Sequence, residues 1–256
     1  MRPIIRLFQA FGFSPVQFFK ALKGLPTFLA HLVKFIYRFR EPDFKLALYP
    51  CLSDRYEGGG TAKGHYYHQD LLVAREIFRT NPNRHIDIGS RFDGFVTHVA
   101  SFRIIEVIDI RPLDLKDPQI VTKRVDFMSE LPADLYAYTD SCSCLHALEH
   151  FGLGRYGDNL ITDGHLRGLE NLYNILKPSG TLYLSVPIGA NRIDFNAHRV
   201  FSLEYLISIF DTRFVVEKFS YVDDEGNLHE NIDIQNLIDN NFSCHYGCGI
   251  FKLIKQ

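Results

Sequence analysis

Three side chains suited to proton transfer, His146, Glu149 and His150, follow directly on a strand-like run at residues 137–144. Histidine exchanges protons near neutral pH, where most side chains do not. On a helical turn His146 and His150 would share a face. That spacing suits a metal, a general base with the group that orients it, or histidines that simply satisfy loop carbonyls. His198 and Arg199, with Asn196 just before them, follow a later apolar run and can enter from the opposite wall. The glycine-rich loop at residues 151–158 adds Arg155, Tyr156 and Asp158. A guanidinium there can grip a phosphate or carboxylate, and a phenol ring can stack on a sugar. The chemistry these residues suit is proton transfer to or from a bound polar molecule.

These residues need a scaffold, and the chain supplies one from short apolar runs. Residues 84–91 read as a buried parallel strand that stops at Asp87-Ile88-Gly89 and turns into a helix. Gly89 lets the backbone pass close to a ligand. About twenty residues on, the run 104–110 ends in Asp109, and an acid at that distance can accept both hydroxyls of a ribose. The pair indicates a nucleoside cofactor at the carboxyl ends of the strands. Residues 120–125 form a third strand ending in Asp126-Phe127; 137–144, 181–187, 214–222 and 250–254 complete seven. A helix at 66–78 is expected to bury Leu71, Ala74, Ile77 and Phe78, and a helix at 164–176 stops at Lys177-Pro-Ser-Gly180. Alternating strands and helices predict a doubly wound, Rossmann-like α/β domain over residues 46–256, with a seven-stranded, mostly parallel sheet.

Residues 1–45 form a basic, amphipathic helical extension. They carry eight Lys/Arg against Glu41 and Asp43, whereas the remainder is acidic and the whole chain has a net charge of −2. Two or three short helices are expected there, with Ser14-Pro15 as a start and Gly24 as a stop. The segment at 28–40 suits an anionic membrane surface, a docking partner, or packing over the core. The acidic body gives no reason to expect nucleic acid as a partner. Of the five cysteines, Cys142 and Cys144 read as small core residues. The spacing of Cys244 and Cys248 could hold a metal, but no second ligand pair is evident, so none is assigned. There is no signal-peptide pattern. The longest uncharged run near the amino end, residues 24–33, is about half what a membrane-spanning helix needs. The expected setting is cytoplasmic, with peripheral membrane contact through residues 1–40 as one option.

Four features together resemble the class I S-adenosylmethionine-dependent methyltransferases: Asp87-Ile-Gly89, Asp109, Asp126-Phe127 and Leu176-Lys-Pro-Ser-Gly180. A closer likeness is to the uncharacterised family called domain of unknown function 268. It shows in Tyr67-His-Gln-Asp70, residues 85–94, residues 150–158 and Phe195-Asn-Ala-His-Arg199. The resemblance implies S-adenosylmethionine as cofactor. Gly89 and Ser90 would approach its methionine part, Asp87 its ammonium, and His68 and Gln69 its carboxylate end. Asp109 would take the ribose hydroxyls, Asp126 the adenine amino group, and Phe127 the ring. Arg91 would contact the cofactor carboxylate or pair with Asp93. The chain departs from the superfamily in the glycine loop, where Gly89 is followed by another glycine only at Gly94. The resemblance implies methyl transfer and names no substrate; Arg155 and Tyr156 point to a small hydroxylated acceptor, a sugar or glycan precursor, as in polysaccharide biosynthesis. A methyltransferase-like scaffold without catalysis and a dinucleotide-dependent enzyme are the competing readings.

Overall fold

The computed structural model describes residues 8–40, 43–58, 60–111, 116–234 and 242–256. Residues 1–7 of the basic extension, Glu41, Gly59 and Pro112, the expected breaker after the second strand, lie outside these. The chain divides into two compact units, Met1–Thr61 and Ala62–Gln256.

In the first unit a single helix, α1 (Pro15–Arg38), runs where a break at Gly24 was expected. Ser14 caps it, its hydroxyl accepting from the Gln17 amide at 3.4 Å. The helix continues through both Gly24 and Pro26. Gly24 serves close approach rather than termination: a Cβ there would lie 1.9 Å from the Leu52 carbonyl oxygen.

The second unit is built on the apolar runs. Its strands are β1 (His85–Ile88), β2 (Ile105–Asp109), β3 (Ile120–Arg124), β4 (Thr139–Leu145) and β5 (Leu176–Ile188), then β6 (Arg192–Asp194) and β7 (His198–Val200), and finally β8 (Phe214–Val222), β9 (Leu228–His229) and β10 (Gly247–Lys255). The main sheet has the order β3-β2-β1-β4-β5-β10-β8-β9, and β6 and β7 form a separate hairpin. The β3 to β5 half is parallel. β10 then inserts antiparallel between β5 and β8. The sheet therefore has eight strands rather than the expected seven. The extra one, β9, is a two-residue addition paired to β8, too short to register as an apolar run.

Because β1 leads to β2 on one side while β4 lies on the other, the strand order reverses beside β1. Ligands of open α/β sheets bind in the crevice at such a reversal. Alternate residues of β1 face opposite layers. Ile86 and Ile88 join one apolar cluster with residues of α4 (Gly164–Ile175) and α5 (Leu203–Phe210). The other layer is covered by α2 (His65–Thr80) and α3 (Thr97–Ala100). α2 buries Gln69, Asp70, Val73, Ala74 and Ile77. Phe78, expected inside, is 65% exposed. The buried stripe is turned by about one residue because Gln69 goes inward, its Oε1 accepting from Ser185 Oγ at 2.6 Å.

Phe251 on β10 anchors the antiparallel half, fully buried with ring centroids 4.8 Å from Phe219 and 5.4 Å from Phe210. Phe251→Ala should cost about 3–5 kcal/mol of unfolding free energy, measured by denaturant titration; a loss below about 1 kcal/mol would mean that this cluster does not anchor β10.

Candidate active site

The site grows from the turn after β1. Asp87 is completely buried, and both its oxygens are engaged: Oδ2 accepts from the Ser90 amide at 3.0 Å, while Oδ1 accepts from Ser90 Oγ at 2.7 Å and Ser143 Oγ at 2.6 Å. Burial pushes its pKa up to about 6, against the pull of those hydrogen bonds. Gly89 turns with φ +72° and donates its N–H to the Ile108 carbonyl at 3.0 Å. A Cβ there would sit 3.1 Å from Ala147 Cβ, so the absent side chain lets β1's turn lie against the loop after β4.

A cleft of about 340 Å³ opens beyond this turn, within the usual range of small-molecule sites, roughly 300–1,000 Å³. Gly89, Arg91, Asp109, Asp126 and Phe127 line it from the β1 to β3 side. His146, Glu149, His150, Arg155, Tyr156, Asp158 and His198 line it from the other. Ser90 and Gln69 instead line an adjoining recess with Asp70. Asp87, His68, Asn196 and Arg199 line neither.

Asp109 is held by a residue that sequence reasoning passed over. Arg111 clamps it, Nε to Oδ1 at 2.9 Å and a terminal nitrogen to Oδ2 at 2.5 Å, with the Arg111 amide 2.8 Å from Oδ1. Asp126 closes its own turn, accepting from the Met128 amide at 2.9 Å and Ser129 Oγ at 3.0 Å. Arg91 pairs with Asp93 at 2.6 Å, the second of its two expected roles.

The histidines do not share a helical face. His146 has φ +48°, and only Leu148–His150 forms a 3₁₀ turn. The reason is tertiary: the Ser185 carbonyl and hydroxyl take the His146 amide, at 3.0 and 3.1 Å, and hold it out of helical register. Glu149 joins the two rings instead, with Oε1 2.7 Å from His146 Nδ1 and 3.7 Å from His150 Nε2. Burial opposes a charged His146, but the Cys248 sulfur and the Glu149 carboxylate lift its pKa well above the ordinary range. His150 moves the other way, because burial outweighs Glu149 and lowers its pKa. Its Nδ1 donates to the Ala197 carbonyl at 2.6 Å. A carbonyl can only accept, so the lone pair of neutral His150 stands at Nε2.

The loop after His150 is fixed from within. Asp158 accepts the amides of Gly152, Gly154 and Tyr156 at 3.0–3.2 Å. Arg199, only 4% exposed, donates to the carbonyls of Glu149, Phe151 and Thr162. Arg155 donates to the Ala197 carbonyl at 3.0 Å. Tyr156 lies between two guanidinium groups, 4.7 Å from Arg111 and 5.2 Å from Arg155. His198 faces Asp194 at 3.3 Å and the Tyr246 ring at 5.0 Å, and Asn196 is exposed. Tyr66 and Tyr246 also wall the cleft; Tyr66 directly precedes Tyr67-His-Gln-Asp70 and Tyr246 lies between Cys244 and Cys248, but no role was assigned to either ring from the sequence.

Because the folded pKa of Asp87 lies above its unfolded value of about 3.9, its favourable contribution is complete below that pH and is lost as the pH rises through about 6. Relative to Asp87→Asn, the native protein should lose roughly 3 kcal/mol of stability between about pH 4 and pH 7. Unfolding curves of both proteins across that window test this; a difference that stays flat with pH would show that the carboxyl is not buried as described.

The chain matches the family model described as "Caenorhabditis protein of unknown function, DUF268" over residues 97–241, more than half its length. No curated protein sequence matches it. Among solved structures it is similar to the [4+2]-cyclase SpnF, at 13% identity and a TM-score of 0.51, over 77% of this chain and 85% of that one. It is also similar to the N-methyltransferase NodS from Bradyrhizobium japonicum WM9, solved with S-adenosylhomocysteine, at 12% identity and a TM-score of 0.48, over 75% and 88% of the two chains. A third is 1,6-didemethyltoxoflavin-N1-methyltransferase from Burkholderia thailandensis, at 14% identity and a TM-score of 0.48, over 73% and 78%. At such identity the likeness to the cyclase establishes a shared Rossmann-like fold.

Proposed function

The chain belongs to the DUF268 family, and we propose that it binds S-adenosylmethionine in this cleft and methylates a small hydroxylated acceptor, a sugar or glycan precursor. One observation carries the reading. A single cleft joins Gly89, Asp109, Asp126 and Phe127, suited to an adenosine and its methionine, to His150, Arg155, Tyr156 and His198, suited to a polar acceptor. The donor set fits the cofactor. Ile108, Val125, Phe127 and Met128 give an apolar slot for a purine. Arg111 makes three hydrogen bonds to Asp109. A carboxylate has about four lone-pair sites, so one remains for a ribose hydroxyl.

When bound, S-adenosylmethionine supplies a methyl group activated by its sulfonium. The chain's own residues supply the rest. Arg155 and Tyr156 hold the acceptor so that its hydroxyl oxygen lies in line with the methyl carbon. His150 Nε2 would take the proton of the acceptor hydroxyl as its oxygen is methylated. The Ala197 carbonyl keeps the ring in the required tautomer, and the Glu149 carboxylate stabilises the imidazolium that develops.

Calorimetric titration with S-adenosylmethionine, S-adenosylhomocysteine and NAD tests the cofactor. The first two should bind at micromolar concentration, and Asp109→Ala should weaken both at least tenfold, about 1.4 kcal/mol. Preference for NAD, or no binding by folded protein, would overturn the reading. His150→Gln should keep cofactor affinity while lowering turnover on hydroxylated sugars about 10²- to 10⁴-fold.

The amino-terminal unit suits an anionic lipid surface. Among the described residues no helix is long and apolar enough to cross a membrane. α1 instead carries Lys20, Lys23, Lys34 and Arg38 together with exposed Phe19, Val33 and Phe35, the composition of a helix that lies in the interface. The full chain should sediment with phosphatidylserine-containing vesicles but not with pure phosphatidylcholine, and Phe19→Glu with Lys34→Glu should release it. Equal binding to both vesicle types would refute an electrostatic contribution.

A further inference from the structure

The geometry points to a zinc-class divalent metal site at the wall of the cleft, formed by His65, His146 and Cys248. The three come from separate elements: His65 opens α2, His146 stands in the turn after β4, and Cys248 is the second residue of β10. One donor atom of each lies within 4.8 Å of the others. This supplies the histidine partners that local spacing around Cys248 could not reveal.

His146 gives the independent reason. Its side chain is 96% buried, and while Nδ1 is held by Glu149, Nε2 has no hydrogen-bond partner. When the ring is neutral that nitrogen is a lone pair without a donor, and the buried Cys248 sulfur beside it is the group to which a shared cation would join it. A histidine fixed by a carboxylate on one ring nitrogen and free on the other is the arrangement that orients metal-bound imidazoles. Cys248 Sγ is likewise fully buried beside His146, with long contacts to the Gln69 amide oxygen at 3.7 Å and the Gly249 carbonyl at 3.8 Å. The His65 ring lies parallel to that of His146, 3° apart with centroids at 5.2 Å.

Two imidazoles and a thiolate favour zinc over magnesium or calcium, which take oxygen ligands. Bond lengths of about 2.0–2.3 Å in a tetrahedral site place donors roughly 3.3–3.7 Å apart. From within 4.8 Å, the three donors would have to close to that spacing when the ion binds. Three protein donors leave the fourth position for water or a ligand. His146 lines the cleft, so the cation stands beside the acceptor region.

The test uses the full chain, stripped with a chelator and titrated with Co²⁺. One Co²⁺ should bind per chain, with a thiolate-to-cobalt charge-transfer band that Zn²⁺ then abolishes. The band should vanish in Cys248→Ser and persist in Cys244→Ser. His65→Ala, at the start of α2, should weaken binding roughly tenfold or more while leaving the melting temperature of the stripped protein unchanged. Zn²⁺ should raise the melting temperature of the native chain and not that of Cys248→Ser. No Co²⁺ bound at micromolar concentration, or a band surviving in Cys248→Ser, would overturn the site. None of these readouts involves S-adenosylmethionine, so the metal site and the methyl-transfer reading fail separately.

Discussion

The buried carboxylate of Asp87 is the constraint on which the cleft depends. A charged group with no solvent contact is tolerated only when its lone pairs are met. The amide and hydroxyl of Ser90, with the Ser143 hydroxyl on the neighbouring strand, meet them. Those bonds force the chain to turn immediately after β1 and bind the turn to β4. Gly89 then adopts its left-handed conformation against Ala147, and the crevice at the reversal of strand order stays open. Asp87 thus shapes the site from behind, through the backbone it holds.

A second set of buried polar contacts fixes the opposite wall. The segment after His150 has three glycines at positive φ, Gly152, Gly154 and Gly157, which alone would leave it pliant. Asp158 gathers its amides and Arg199 gathers its carbonyls. Conformational freedom needed to make the tight turns is therefore removed again by side chains. A loop held this way presents Arg155 and Tyr156 to the cleft in set directions, an arrangement that would lower the ordering cost of binding a ligand there.

Much of the scaffold was legible in the sequence because each central strand is a brief apolar run bounded by turn residues. β9 was not, since two residues have no period. The continuity of α1 was missed because Gly24 and Pro26 are local breakers, and the close approach of Leu52 that explains the glycine is a tertiary fact. The residues ending β1, β2 and β3 could be placed at one edge from their spacing. The conformation of His146 could not, because it depends on Ser185 on a neighbouring strand. Arg199 looked like a ligand-binding charge, and it serves instead as an internal tie. Nothing in a linear sequence tells a guanidinium facing solvent from one facing three carbonyls. Arg111, two residues beyond Asp109, was the nearest thing to a readable omission: an acid and a base so close in sequence invite a pair.

The Ala197 carbonyl receives hydrogen bonds from both His150 and Arg155. A single backbone oxygen in the β6–β7 turn therefore sets both the ring of His150 and the position of Arg155. The hairpin acts as a common gauge for two side chains that line the cleft. Lengthening or shifting it would move both in the same stroke, so on the proposed reading this fold would have little room to alter acceptor choice at that turn without also retuning its chemistry.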